Sequence, residues 1–321
     1  ATVTPTATPT CTPIPVTTPQ TWPTPHLLMT MNLCAQTRPN GLALNATGTQ
    51  LYVALHGEDH SGRSVAVMAT DPLQVSWLFT YTQSAAGPNQ VARLPDGKLV
   101  VSNRQTDNAT ILDVSAATIP ASIPANLLPN GVAAAGNYGY IANFGNDTVT
   151  VFDPATYAVI RTLYNVGHQP SLFATDPNSS DVFLSAHGSD EVIHLRDGNV
   201  VGRWQGVKEP YGLAYDPAGK RLYAANRGTA HTVTVIDVEA NQIVGAIGLD
   251  KEPFVLAVNP DSGHLFITCG TEVKVYRARD WSPVTVIPVA VGAEEGIAVD
   301  SGMDRVYVTS RDSNVLSVIQ D

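Results

Sequence analysis

Residues 129–166 read PNGVAAAGNYGYIANFGNDTVTVFDPATYAVIRTLYNV, and this stretch decides the fold. GVAAAG (131–136) is a short apolar run, YGYIANF (138–144) is a second, and Gly145-Asn146-Asp147 turns the chain. TVTVFD (148–153) alternates in polarity and stops at Asp153-Pro154, and AVIRTLYNV (158–166) supplies a fourth run. Short runs rich in β-branched residues and parted by Gly, Asn and Pro predict strands. No stretch carries a helical period of apolar residues.

The unit recurs seven times. Its starts are Pro39-Asn40-Gly41, Pro88-Asn89-Gln90, Pro129-Asn130-Gly131, Pro170-Ser171-Leu172, Pro210-Tyr211-Gly212, Pro253-Phe254-Val255 and Glu295-Gly296-Ile297, spaced by 49, 41, 41, 40, 43 and 42 residues. Such a period predicts an array of identical units, none of which buries its apolar face alone. Repeat five reads GLAYD (212–216), RLYAANR (221–227), TVTVID (232–237) and QIVGAIGL (242–249). Repeat seven reads GIAVD (296–300), RVYVTSR (305–311) and NVLSVI (314–319), then lacks a fourth run. HLLMTMNL (26–33) is an apolar run that belongs to no repeat. An open sheet edge is a pairing site, so 26–33 is expected to close the last unit, with Leu27, Leu28, Met29, Met31 and Leu33 as the closing residues.

The chain has 321 residues, of which 44% are hydrophobic and 14% charged, with a net charge of −10. That charge argues against nucleic acid and anionic membrane as partners. No apolar run reaches the length of a membrane span. Ala1 is read as a mature N-terminus left by signal cleavage.

Residues 1–25 hold ten Thr, seven Pro and no charge. Thr4-Pro5, Thr8-Pro9 and Thr12-Pro13 recur every four residues. Proline removes donors and fixes φ, so 1–25 is expected to be an extended, polyproline-like arm with too little apolar surface to fold alone. Arms of this composition are typical of O-glycosylated exported proteins. The domain reading is therefore an arm at 1–25 and one closed array at 26–321.

Here the residues resemble a known family. LYVALHG (51–57), YIANFGNDTVTVFD (140–153), LYAANRGTAHTVTVID (222–237) and VYVTSRDSNVLSVI (306–319) resemble the YVTN type of β-propeller repeat. The resemblance covers residues 39–320. It implies an all-β, seven-bladed propeller of four-stranded blades, and it implies no single function. Repeats one and two depart from it: Leu55-His56 replaces the Thr-Asn pair, and 115–125 reads as a Pro/Ala-rich insertion.

Chemistry is sought against that repeat background. His56 and His187 are read into the slot of Asn103, Asn143 and Asn226, where a short polar side chain bonds the turn. Asp113, Asp153 and Asp237 end third strands and are read as Asx-turn caps. Glu294-Glu295 stands where other repeats have Pro. It is read as a solvated loop near the central channel, with oxygen ligation of a cation as the alternative. Gly57–Gly62 is read as an exposed loop. Cys11, Cys34 and Cys269 permit one disulfide or an intermolecular one. Asn45, Asn108, Asn146 and Asn178 open N-x-[ST] sequons, and Thr4, Thr8 and Thr12 are candidates for O-linked sugar. No local catalytic, metal or cofactor fingerprint is present, so none is expected.

The leading expectation is a non-enzymatic extracellular or cell-surface building block. Copies would join as an oligomer or filament through Thr4, Pro5, Thr8, Pro9, Cys11, Thr12, Pro13 and Trp22 of the arm. The alternatives are a glycan- or protein-binding adhesin, with Trp204, Tyr211 and Phe254 as aromatic contacts, and a hydrolase or lactonase with a channel metal.

Overall fold

The computed structural model describes residues 13–15, 24–82, 86–293 and 295–321. The expected arm therefore lies largely outside the described residues, as do Cys11 and Glu294. Seven antiparallel sheets stand in a ring. The inner strands of blades one to seven are Pro39–Leu44, Pro88–Arg93, Pro129–Ala135, Pro170–Thr175, Pro210–Asp216, Leu256–Asn259 and Gly296–Asp300. Each pairs with a second strand, that with a third, and the third with an outer strand.

The seventh blade takes its outer strand from the other end of the chain. His26–Asn32 pairs antiparallel with Val315–Gln320, setting Met31 opposite Leu316. Leu33 follows, buried, with its N–H on the Asn314 carbonyl at 2.8 Å. Pro13–Pro15 runs along the far side of His26–Asn32 as a fifth strand. Proline is tolerated there because the outermost position makes fewer ladder bonds.

Blade two departs from expectation. The Pro/Ala-rich stretch is its outer strand, Thr118–Pro124, with a register shift between Thr118 and Ala121. An outer edge accommodates Pro120 and Pro124, which a central strand would not.

Seven apolar clusters among the described residues fill the seven seams between blades. Tyr307, Leu316 and Val318 of blade seven meet Leu51, Val53 and Met68 of blade one, with Met31 of the closing strand. Tyr140 and Val149 meet Val182 and Leu184 between blades three and four, and Tyr223 and Val233 meet Leu265 and Ile267 between five and six. No blade has a core of its own, so stability resides in neighbour contacts. The tyrosine of the repeat is a seam residue. The Tyr223 hydroxyl donates to the Ala278 carbonyl of the next blade at 2.7 Å, and the Tyr140 hydroxyl accepts from the Gly198 N–H at 2.9 Å.

The glycine of the repeat start has a steric reason. A Cβ on Gly131, Gly212 or Gly296 would lie 2.3–2.4 Å from the backbone carbonyl oxygen of the next inner strand. At these three positions the backbone of the next blade leaves room only for glycine.

Candidate functional site

Strand register fixes which residues are equivalent. Pro39 pairs with Leu55, Pro88 with Asn103, Pro129 with Asn143, Pro170 with Ala186 and Pro210 with Asn226. His56 and His187 therefore stand one position beyond the asparagine slot, which corrects the sequence reading. The asparagines themselves are structural. The Asn143 Nδ2 donates to Thr148 and Thr150 at 3.0 Å, and the Asn226 Nδ2 to Thr232 and Thr234 at 2.8 Å. They tie the second strand to third-strand hydroxyls, and the Asn143 Oδ1 also accepts the Asn126 backbone N–H at 3.2 Å. The aspartate caps are local too: Asp153 accepts the Ala155 N–H at 2.8 Å and Asp237 the Ala240 N–H at 2.7 Å.

The position beyond the slot lies at one mouth of the channel. Its occupants are His56, Arg104, Phe144, His187, Arg227, Gly270 and Arg311 around the ring. All but Gly270 line one cavity of about 230 Å³, together with His60, Asn89, Asn130, Tyr211 and Glu295. Register also moves Glu295. Ile297 pairs with Val308 as Leu42 pairs with Val53, so Glu295 matches Asn40 and not the repeat's proline. Asn40, Asn89, Asn130, Ser171, Tyr211, Phe254 and Glu295 are then the second residues of the seven starts.

Hydrogen bonds link several of these second residues around the floor of the mouth. The Asn40 Nδ2 donates to Asn89 and the Asn89 Nδ2 to Asn130. The Tyr211 hydroxyl donates to the Glu295 Oε2 at 2.8 Å. Gln90 braces the acid from blade two, its Nε2 donating to the Glu295 carbonyl at 3.1 Å. A carboxylate accepts only. Tyr211 must therefore donate to Glu295. Burial, then the Glu295 charge, pushes the Tyr211 hydroxyl well above its ordinary pKa, so it stays a donor.

The rim is cationic. Arg227 lies 4.8 Å from the Tyr211 ring and 4.6 Å from Phe254, and pairs with Glu252 at 3.3 Å. Arg311 stands 3.6 Å from Glu295. Arg104 lies 5.1 Å above the Phe144 ring, and no carboxylate among the described residues pairs with it. The Nε of Arg311 and the Nδ1 of His187 are buried and find no partner among the described residues.

His56 and His60 meet in the same cavity. The tip of the 57–62 loop is exposed, but His60 turns inward, which the sequence reading missed. The His56 Nδ1 contacts the Pro88 carbonyl at 3.2 Å, and its Nε2 contacts the His60 Nδ1. A carbonyl cannot donate, so the His56 Nδ1 carries hydrogen and its Nε2 accepts from the His60 Nδ1. Burial, then the charges of His60, Arg311 and Arg104, holds the His56 pKa down at about 3. His60 is lowered by burial and then by Arg104 and Arg311. Both rings are therefore neutral near pH 7. The guanidinium groups beside them disfavour a metal cation and favour an anion.

The other expected site residues do not converge here. Trp204 is buried in a blade seam, stacked on His194 at 5.6 Å. Cys34 is disulfide-bonded, and Cys269 is a buried free thiol occupying the asparagine slot of blade six. Asn45 and Asn108 are half-buried, while Asn146 and Asn178 are exposed.

No family model matches the chain. In sequence it is similar to the uncharacterised protein YncE of Salmonella typhi and of Salmonella typhimurium, 28% identical over 162 residues. That match covers 47% of this chain and 45% of the relative, so it spans about half the length of the curated relatives. In structure the chain is similar to hydrazine synthase of Kuenenia stuttgartiensis, with a TM-score of 0.77 and 18% identity over 90% of this chain and 97% of that one. It is also similar to virginiamycin B lyase of Staphylococcus aureus, with a TM-score of 0.76 and 12% identity over 91% of this chain and 98% of that one. At these identities the likeness is one of fold, and the fold is a seven-bladed β-propeller.

Proposed function

We propose that the channel mouth binds a small anionic molecule. The observation that carries this reading is Arg104, a guanidinium with no carboxylate partner among the described residues, set beside Arg311 and neutral His56 and His60. Three guanidinium groups face one lining carboxylate, in a chain whose net charge is −10. A bound anion offsets the mutual repulsion of the guanidinium groups. The cavity is smaller than the roughly 300–1,000 Å³ of drug-sized sites, which favours a compact ligand. Two structural neighbours carry enzyme names, a synthase and a lyase. That supports turnover of the ligand here over the purely structural role expected from the sequence.

Export is a companion proposal, supported by the Cys34 disulfide, since disulfides persist in oxidising compartments. Assembly through residues 1–25, glycan attachment and the YVTN repeat type are separate proposals resting on the sequence patterns alone. The described part of the arm, Pro13–Pro15, lies along the protein's own closing strand.

The test is titration of the full chain with 3-phenylpropionate and inorganic phosphate, followed by calorimetry and by amide shifts of residues 104, 187 and 311. Arg104→Gln should weaken binding about tenfold or more, the loss expected for one charge-assisted contact. Binding that is absent, or indifferent to Arg104→Gln, refutes the reading.

A further inference from the structure

The mouth is bipolar, and this sharpens the ligand. Its rim presents Arg104, Arg311 and the His56–His60 pair. Its floor presents Glu295, whose Oε2 accepts the Tyr211 hydroxyl at 2.8 Å. Arg311 stands 3.6 Å from its Oε1. Asn40, Asn89 and Asn130 continue the floor from three further blades, Asn40 donating to Asn89 and Asn89 to Asn130. The Asn40 Oδ1 is left buried, an acceptor without a donor among the described residues. Asn40 belongs to blade one and Glu295 to blade seven, adjacent across the closing seam. Thr309 joins them, donating its hydroxyl to the Asn40 carbonyl at 2.8 Å. The floor sets a carboxylate beneath a cationic rim. A plain anion satisfies the rim and leaves the Glu295 Oε1, whose one contact is Arg311 at 3.6 Å, without a hydrogen-bond donor among the described residues.

We infer that the ligand is a small carboxylate carrying a hydrogen-bond donor, an amine or a hydroxyl, one or two atoms from the acid group. The carboxylate faces Arg104 and the histidine pair, and the donor points to Glu295. Three alternative sites support less. The groove of about 520 Å³ between blades five and six is rimmed by Arg221, which is already paired with Asp237, and by exposed Arg279. The exposed residues Val159 and Ile160 of an outer strand and Tyr164 just beyond it come with nothing that says what covers them. The cluster of Asn259, Ser262 and His264 around Asp321 is fully satisfied.

This inference rests on the anion-binding reading, and one isosteric series separates the two. The full chain is titrated with 3-phenylpropionate, 3-phenyllactate and phenylalanine, which differ only in H, OH or NH3+ beside the carboxylate. At least one donor-bearing member should bind tenfold or more tightly than 3-phenylpropionate, and the pair identifies whether the donor is hydroxyl or ammonium. Glu295→Gln should tighten 3-phenylpropionate, by removing a negative charge, and shrink the donor preference to threefold or less. Equal affinities across the series overturn the donor inference and leave the anion site standing. No binding by any member overturns both. The unmutated protein alone decides the first comparison, so a variant that fails to fold does not obscure the outcome.

Discussion

The hydroxyl of Tyr211 donates to the carboxylate of Glu295 across 2.8 Å, although the two residues stand 84 positions apart and on blades five and seven. The bond spans the floor of the channel mouth and passes over blade six, whose own residue at this position, Phe254, stacks on Arg227 instead. Removing the hydroxyl deprives Glu295 of a donor. Tyr211→Phe should therefore cost about 1–3 kcal/mol, the range for leaving a buried polar group unpaired. Urea unfolding of both proteins measures it, and a loss well under ~0.5 kcal/mol would show that this bond does not stabilise the ring.

His56 makes stability depend on acid. Its ordinary pKa is 6.5, and burial with nearby positive charge lowers it to about 3 in the folded chain. The unfolded chain therefore takes up this proton first as pH falls. The contribution is fully present above pH 6.5 and is lost progressively between 6.5 and 3. The slope from one such group is at most about 1.4 kcal/mol per pH unit. Denaturant midpoints at pH 7 and pH 5 should fall more steeply in the native sequence than in His56→Gln. Parallel slopes would mean that His56 is not held neutral by the fold.

Met31 tests ring closure. It is 1% exposed on the closing strand and packs in the seam between blades seven and one. Met31→Ala should cost about 2–5 kcal/mol, as for other buried Met-to-Ala changes. Amide exchange within Val315–Gln320 should quicken more than exchange in blade four, because that strand pairs with His26–Asn32. Uniform quickening around the ring would instead indicate global destabilisation without local opening.

Cys269 should be chemically silent in the folded protein. It is 2% exposed, and burial pushes its thiol pKa up to about 12. The thiolate is the reactive species. Iodoacetamide labelling at pH 8 should leave Cys269 unmodified until denaturant is added, as peptide mapping would show. Rapid labelling of the native chain would contradict the packing of blade six.

The sequence by itself determined the repeat. A forty-residue period, a strand alternation of two and glycine at the start of most repeats are local or periodic quantities, and each is readable in one dimension. They sufficed for the seven blades and for closure by 26–33, because an odd strand at one end and a missing strand at the other can be counted. The chemistry was partly visible. At two phases of the repeat the residue type changes from blade to blade, Asn, Asn, Asn, Ser, Tyr, Phe, Glu at one and His, Arg, Phe, His, Arg, Gly, Arg at the other. That variation was the available signal, and a one-residue misalignment of His56, His187 and Glu295 concealed it.

Only the tertiary structure decided that these positions face one another. Ring closure brings the same phase of seven distant repeats to one mouth, so residues separated by tens to hundreds of positions become neighbours. Burial beneath the rim then lowers His56 and keeps Tyr211 protonated. Neither follows from residue identity, because each depends on the charges and solvent exclusion that the closed ring imposes.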